Sequence, residues 1–150
     1  MTEIISQKIF ALLEVNTCDL IELALLEYSL KDPDKRIRFS DSEEIWHRTM
    51  YELKGKLEIT LFPLQDMHFA TMGAYPYSSD LFTDLWMLRE SGMLTFIHSS
   101  AGESWIEKSI HSDSDECLEE WKQKLSDHSE ILQSFLEFSR ALGDALVLSN

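Results

Sequence analysis

The chain has 150 residues, 44% of them hydrophobic, with 27 Asp and Glu against 13 Lys and Arg and a formal net charge of −14. That length and apolar content suit one domain, with or without a helical extension, while the charge disfavours generic nucleic-acid or membrane binding and suits a basic protein partner. Cys18 and Cys117 are far apart with no C-x-x-C spacing, which argues against a disulfide scaffold or zinc site and for a reducing, cytoplasmic setting.

Taken in order, Ile4, Ile5, Ile9, Phe10, Leu12 and Leu13 give a helical pattern over residues 3–15 that ends at Asn16. No basic segment leads an apolar run there, and no run approaches about 18 apolar residues, so no membrane span is expected. Thr17 can cap a second helix whose block Leu20, Ile21, Leu23, Ala24, Leu25 and Leu26 predicts burial on most sides. Lys31 to Arg38 is a charged loop in which Pro33 prevents helix continuation. Ser40-Asp41-Ser42-Glu43 has capping-box chemistry and opens a helix carrying Ile45, Trp46, Met50 and Leu53, with Gly55 as its expected end. Leu57-Glu58-Ile59-Thr60-Leu61 alternates with period two and predicts a strand stopped by Pro63; Met67–Met72 reads as a short strand or irregular chain.

The stretch from Ala74 to Ile110 organises the rest. Pro76 and Ser78-Ser79 predict a stiffened, capped helix start, and Leu81, Phe82, Leu85, Trp86 and Leu88 a broad apolar face. Gly92 then supplies the left-handed position after the helix. Met93–Ile97 and Ser104–Ile110 follow as strands around the polar turn Ser99-Ser100-Ala101-Gly102. This is the order of the second half of a winged helix. Beyond it, Leu118, Trp121, Leu125, His128, Leu132, Phe135, Ser139, Leu142 and Leu146 step by three and four, with Ile131 and Phe138 widening the seam. Asp127 and Glu130 have the spacing to break this tail, so it is one long helix or two folded back. The expected class is mainly α with some β. A winged-helix-like domain fills residues 1–111, and a helical extension, 112–150, packs on it or mediates a homodimer through residues 118–146.

Catalytic motifs are not evident. The five histidines lack ligand spacing, no phosphate-cradling glycine loop or G-x-S-x-G is present, and no cofactor or resident metal is expected. The one local group of hard ligands is His111 with Asp113, Asp115 and Glu116, a trailing possibility for metal-assisted chemistry. A winged helix that reads DNA would set Lys and Arg on its second helix and wing. From Ser78 to Ser91 the charges are instead Asp80, Asp84 and Glu90 against Arg89, or −3 + 1 = −2. A protein-binding face drawn from Asp80, Thr83, Asp84, Met87, Glu90 and Glu103 is therefore the first expectation. The alternative is a dimeric DNA-binding regulator with Ser79, Thr83 and Met87 at the groove. Its phosphate contacts would come from Lys35, Arg36, Arg38, Arg48, Lys54 and Lys56, within a neutral third of the chain, 31–60, of seven basic and seven acidic side chains.

The run Met72-Gly73-Ala74-Tyr75-Pro76-Tyr77-Ser78-Ser79-Asp80-Leu81, followed by Leu85, Leu88, Gly92 and Leu94, resembles the signature of Panacea (SocA-like) proteins over residues 72–94. Tyr75 stands where that family carries a glycine directly before the proline. The resemblance implies an antitoxin or adaptor that grips another protein.

Overall fold

A computed structural model describes residues 1–32, 36–109 and 113–149. Six helices and three short strands follow one another as α1 (Thr2–Leu13), α2 (Thr17–Ser29), β1 (Arg38–Phe39), α3 (Glu43–Leu57), α4 (Ser79–Glu90), β2 (Leu94–His98), β3 (Ser104–Lys108), α5 (Ser114–Lys124) and α6 (Ser129–Leu146). The fold is mainly helical, α+β, with one antiparallel sheet ordered β1-β3-β2. Helix α2, strand β1, helices α3 and α4 and the β2–β3 hairpin keep winged-helix connectivity. The link from α3 to α4, residues 58–78, is far longer than the three or four residues of a helix-turn-helix.

Helix α2 lies at the centre because its sequence has almost no solvent face. Leu20, Ile21, Ala24, Leu25 and Leu26 are all at most 1% exposed, and α6, α4 and α5 pack around them. The three-and-four seam of the tail meets α2 and α3: Phe135, Phe138, Leu142 and Leu146 are fully buried there. Each such side chain contributes about 1.5–3 kcal/mol, so α6 is part of the one apolar cluster that also takes in α2, α3 and the sheet. The tail is two helices, broken at 125–128, where Leu125 and His128 carry the turn (His128 N–H to Leu125 O, 2.8 Å).

Three local expectations need correction. The cap of α2 is Asn16 in place of Thr17, and it exchanges bonds with Asp19 in a capping box; the Thr17 hydroxyl donates to Pro63 O at 3.0 Å. Gly55 does not end α3, which runs to Leu57 because Leu53 and Leu57, four apart, are both buried. Leu57–Leu61 is not a strand. Leu57 and Leu61 are also four apart and both buried, while Ile59 is 55% exposed, so helical spacing prevails over alternation. The chain then closes a turn (Leu61 N–H to Leu57 O, 2.7 Å) into a 3₁₀ segment, Phe62–Asp66.

The sheet's third strand comes instead from β1, paired with β3 through Arg38 opposite Glu107 and Phe39 opposite Ile106. Its outer edge is covered by the C-terminal residues: Ser40 N–H donates to Leu146 O (2.7 Å) and Leu148 N–H to Arg38 O (2.8 Å). An edge that short and paired offers little to a foreign strand.

Candidate docking face and its acidic flank

Helix α4 starts where the sequence places it. Ser78 Oγ accepts from Leu81 N–H at 3.2 Å, and the Ser78 N–H itself donates to Nδ1 of His47 on α3 at 3.0 Å. His47 is fully buried and its ring stacks on Tyr77, 4.4 Å between centroids. With Nδ1 accepting, the ring is neutral and its proton sits on Nε2; burial lowers its pKa, with Glu43 opposing. A two-bond bridge between Ala70 and Tyr77 closes the loop ahead of the cap, and Asp80 accepts from His68 N–H at 2.8 Å. At the other end Gly92 takes φ 81° and turns the chain into β2. The helix start is thus tied to α3 and to the 68–70 segment, and its end turns at a glycine.

The apolar face of α4 divides in two. Leu81 and Leu88 are fully buried against the core and Leu85 is half-buried. Phe82, Trp86 and Met87 point the other way, 53%, 61% and 47% exposed. Phe82 and Trp86 are one turn apart, as are Thr83 and Met87, so the four side chains form a single outward patch with Glu90 beyond it. Arg89 lies across its margin, its guanidinium 4.3 Å from the Phe96 ring and 5.8 Å from Trp86.

Of the six residues expected at a partner face, Thr83, Met87 and Glu90 lie on this patch. Asp80 is engaged by His68, and Glu103 sits apart, exposed at the tip of the β2–β3 hairpin. Asp84 is half-buried toward α2, where Cys18 Sγ donates to its backbone carbonyl at 3.6 Å. Burial, then Asp80 and Asp19, push the Asp84 carboxyl up to about 6. Burial, with Asp84, Glu22 and Asp19, pushes the Cys18 thiol to about 12, so this thiol is inert as a nucleophile. Asp80, Asp84 and Asp19 thus make an acidic flank between α4 and α2, with Glu22 buried on α2 and acted on by Asp19.

The flank has a stability consequence. The Asp84 carboxyl binds its proton more tightly folded, near 6, than unfolded, near 3.9. Between those values the folded state holds more proton, so stability is full below the lower value and declines as pH rises through the upper. Asp84→Asn removes the penalty. We expect it to stabilise the protein by about 1–2 kcal/mol at pH 8, after allowing for solvent screening of a half-buried group, and by little at pH 4. Urea unfolding at both pH values checks this; a variant no more stable than wild type at pH 8 contradicts it.

The basic set of the DNA alternative is largely engaged within the chain. Arg36 Nη1 binds Glu107 Oε1 at 2.7 Å, and the indole N–H of Trp105 donates to Oε2 of the same buried carboxylate at 3.1 Å. Arg38 stacks on the Trp105 ring at 4.1 Å. Arg48 pairs with Glu44 at 3.0 Å. Lys54 bonds Glu58 at 2.7 Å and also donates to Leu64 O, tying α3 to the 3₁₀ segment. Lys56 is exposed, and Lys35 lies outside the described residues, as does His111 of the hard-ligand cluster. Among the described residues no group of three or more His, Cys, Asp or Glu could hold a metal ion, and no helix is long and apolar enough to cross a membrane.

Sequence reasoning missed Trp86, Phe82, Asp19 and Glu22. The first two belong to the broad apolar face that the spacing predicts, and periodicity alone cannot tell which half of such a face is covered. Glu22 did carry a signal: it is a lone carboxylate inside the apolar block of α2, a position that burial makes costly. Compared with protein-family models, with curated proteins and with solved structures, the chain matches none.

Proposed function

We propose that this is a non-catalytic, protein-binding regulator of the antitoxin, adaptor or inhibitor type, which docks a basic protein partner through the outward face of α4. The observation that carries the reading is the contiguous exposure of Phe82, Trp86 and Met87 on a helix whose start is tied to α3 through His47 and to the 68–70 segment. Aromatic and Met side chains are the residues enriched at protein interfaces, and isolated apolar residues would not line up on one face. The acidic flank and the net charge of −14 select a basic partner and speed its approach. A Panacea-like grip on another protein accords with this. Engagement of Arg36, Arg38, Arg48 and Lys54 inside the chain weighs against the DNA-binding alternative.

The test is parallel capture from nuclease-treated native lysate with the wild-type chain and Met87→Asp. The wild type should retain a stoichiometric protein that leaves as salt rises, since exposed charges are screened, and Met87→Asp should retain little of it. The same proteins on both baits, or nucleic acid alone retained when nuclease is omitted, would count against the docking face.

A further inference from the structure

Of the histidines among the described residues only His47 is buried, and it stands behind the start of α4. Its ring lies parallel to Tyr77 at 4.4 Å and to Tyr75 at 6.1 Å. A backbone N–H can only donate, so the 3.0 Å bond from Ser78 N–H requires an unprotonated Nδ1. Ser78 in turn holds the first turn of the helix. Its Oγ accepts from Leu81 N–H at 3.2 Å, and its carbonyl from Phe82 N–H at 3.0 Å. Phe82 is the first apolar residue of the outward patch. An unbroken chain of bonds therefore runs from a titratable ring to the docking face.

Protonation breaks that chain at its first link. An imidazolium carries an N–H on both nitrogens, so Nδ1–H would meet the Ser78 N–H donor against donor. The surroundings do little for the cation. Nε2 is buried and has no acceptor among the described residues, and Tyr77 and Tyr75 offer only their ring faces. Glu43 on α3 favours the charged form, but it is exposed and bonds neither nitrogen; Glu44 and Arg48, beside Tyr75, pair with each other. On the 68–70 segment His68 faces Asp80 at 3.3 Å, and a proton there would strengthen that tie, the opposite effect on the same helix start.

We propose that His47 is an acid-released latch: neutral, it holds the start of α4 and its outward patch in place; protonated, it lets go of Ser78, and the turn that carries Phe82 frays. The inference rests on the docking reading and assigns that face a regulation by pH. Burial sets the folded His47 pKa below the ordinary 6.5, with Glu43 opposing. The latch is thus fully closed above the unfolded-state value and is lost as pH falls through the folded one. Asp84 titrates with the opposite sign, its cost shrinking as pH falls, so it does not mimic the loss.

The test uses the free chain. His47 Cε1–H is followed by NMR from about pH 8 to pH 4, beside amide exchange of Ser78, Leu81 and Phe82 corrected for the intrinsic effect of pH. We expect protection of these three amides to fall about tenfold with the midpoint of the His47 titration, while Leu25 and Leu26 of α2 stay protected. His47→Asn keeps an acceptor near the place of Nδ1 and takes no proton, so its three amides should show no such step. If that variant does not fold, the wild-type comparison decides alone. Protection unchanged through the His47 titration overturns the latch, as does the same acid step in His47→Asn. Simultaneous loss of protection in α2 also overturns it, since the whole chain would then be unfolding. The docking reading fails separately. Release on the His47 midpoint beside a capture that ignores Met87→Asp keeps the latch and loses the α4 face; capture sensitive to Met87→Asp with Ser78 protected at every pH does the reverse.

Discussion

Gly143→Ala is expected to destabilise the protein by about 3 kcal/mol or more, lowering the thermal midpoint by roughly 6–12 °C, although in most helices the same change is favourable. Gly143 lies inside α6, where helix propensity alone would credit alanine with about 1 kcal/mol. Its surroundings reverse that sign. A Cβ built there would stand 1.9 Å from Cδ2 of Tyr28 and 2.2 Å from its Cγ, well inside contact distance. The obstacle is a ring, and the ring is held. Tyr28 is 7% exposed, its hydroxyl donates to Asp144 at 2.7 Å, and its edge packs on Phe39 at 5.8 Å. Relief would require α6 to part from α2, against which it packs. Gly55 is the internal control. It too is helical, in α3, but nothing lies within 4 Å of its built Cβ, so Gly55→Ala should stabilise by about 0.5–1 kcal/mol. Urea unfolding of both variants decides the matter. Two alanines that shift stability in the same direction would show that α2 and α6 are not packed as described.

What the sequence could and could not disclose follows from the range of the forces involved. Features set within a few residues were legible: the Ser78 cap, the positive φ at Gly92, the β2–β3 hairpin and the three-and-four step of the tail. Each depends on local backbone chemistry or on a period repeated over several turns. Leu57–Leu61 failed because an alternation only five residues long also contains helical spacing, and which one prevails depends on what covers Leu57 and Leu61. The two-residue strand β1 left no periodic trace at all. Arg38 and Phe39 stand at the end of a charged run, and the strand exists because β3 lies on one side and the C-terminal segment on the other. Asn16 and Thr17 are both good caps, and only the approach of Pro63 decides which one turns inward.

The candidate site followed the same division. Thr83, Met87 and Glu90, expected at a partner face, are exposed on α4. Asp84 was counted with them, but it sits between that face and α2, and a difference of one hundred degrees per residue was enough to bury half of it.

Trp86→Ala is expected to weaken the partner complex by about 2–4 kcal/mol, roughly 30- to 1000-fold in the dissociation constant, while leaving the chain's own stability within about 0.5 kcal/mol. The two halves of that expectation come from one comparison among the four tryptophans. Trp46 is 1% exposed and its indole N–H donates to Ser40 O at 2.8 Å; Trp121 is packed between two phenylalanines; Trp105 carries Arg38 on its face. These three are held by the fold, and truncating them would remove core or sheet contacts. Trp86 is 61% exposed, and its described ring partner is an Arg89 guanidinium that already lies closer to Phe96. The folded monomer gains little from it. A tryptophan on a pinned helix loses little freedom when it is covered, and covering it removes a large apolar area from water, which is why such residues dominate interface energetics. Phe82→Ala, one turn earlier, should act in the same direction with a smaller effect. The measurement is titration calorimetry of the captured partner against wild type and each variant, beside thermal unfolding of the same samples. Unchanged affinity for Trp86→Ala would remove α4 as the docking face, and a large loss of stability would mean that Trp86 belongs to the core after all.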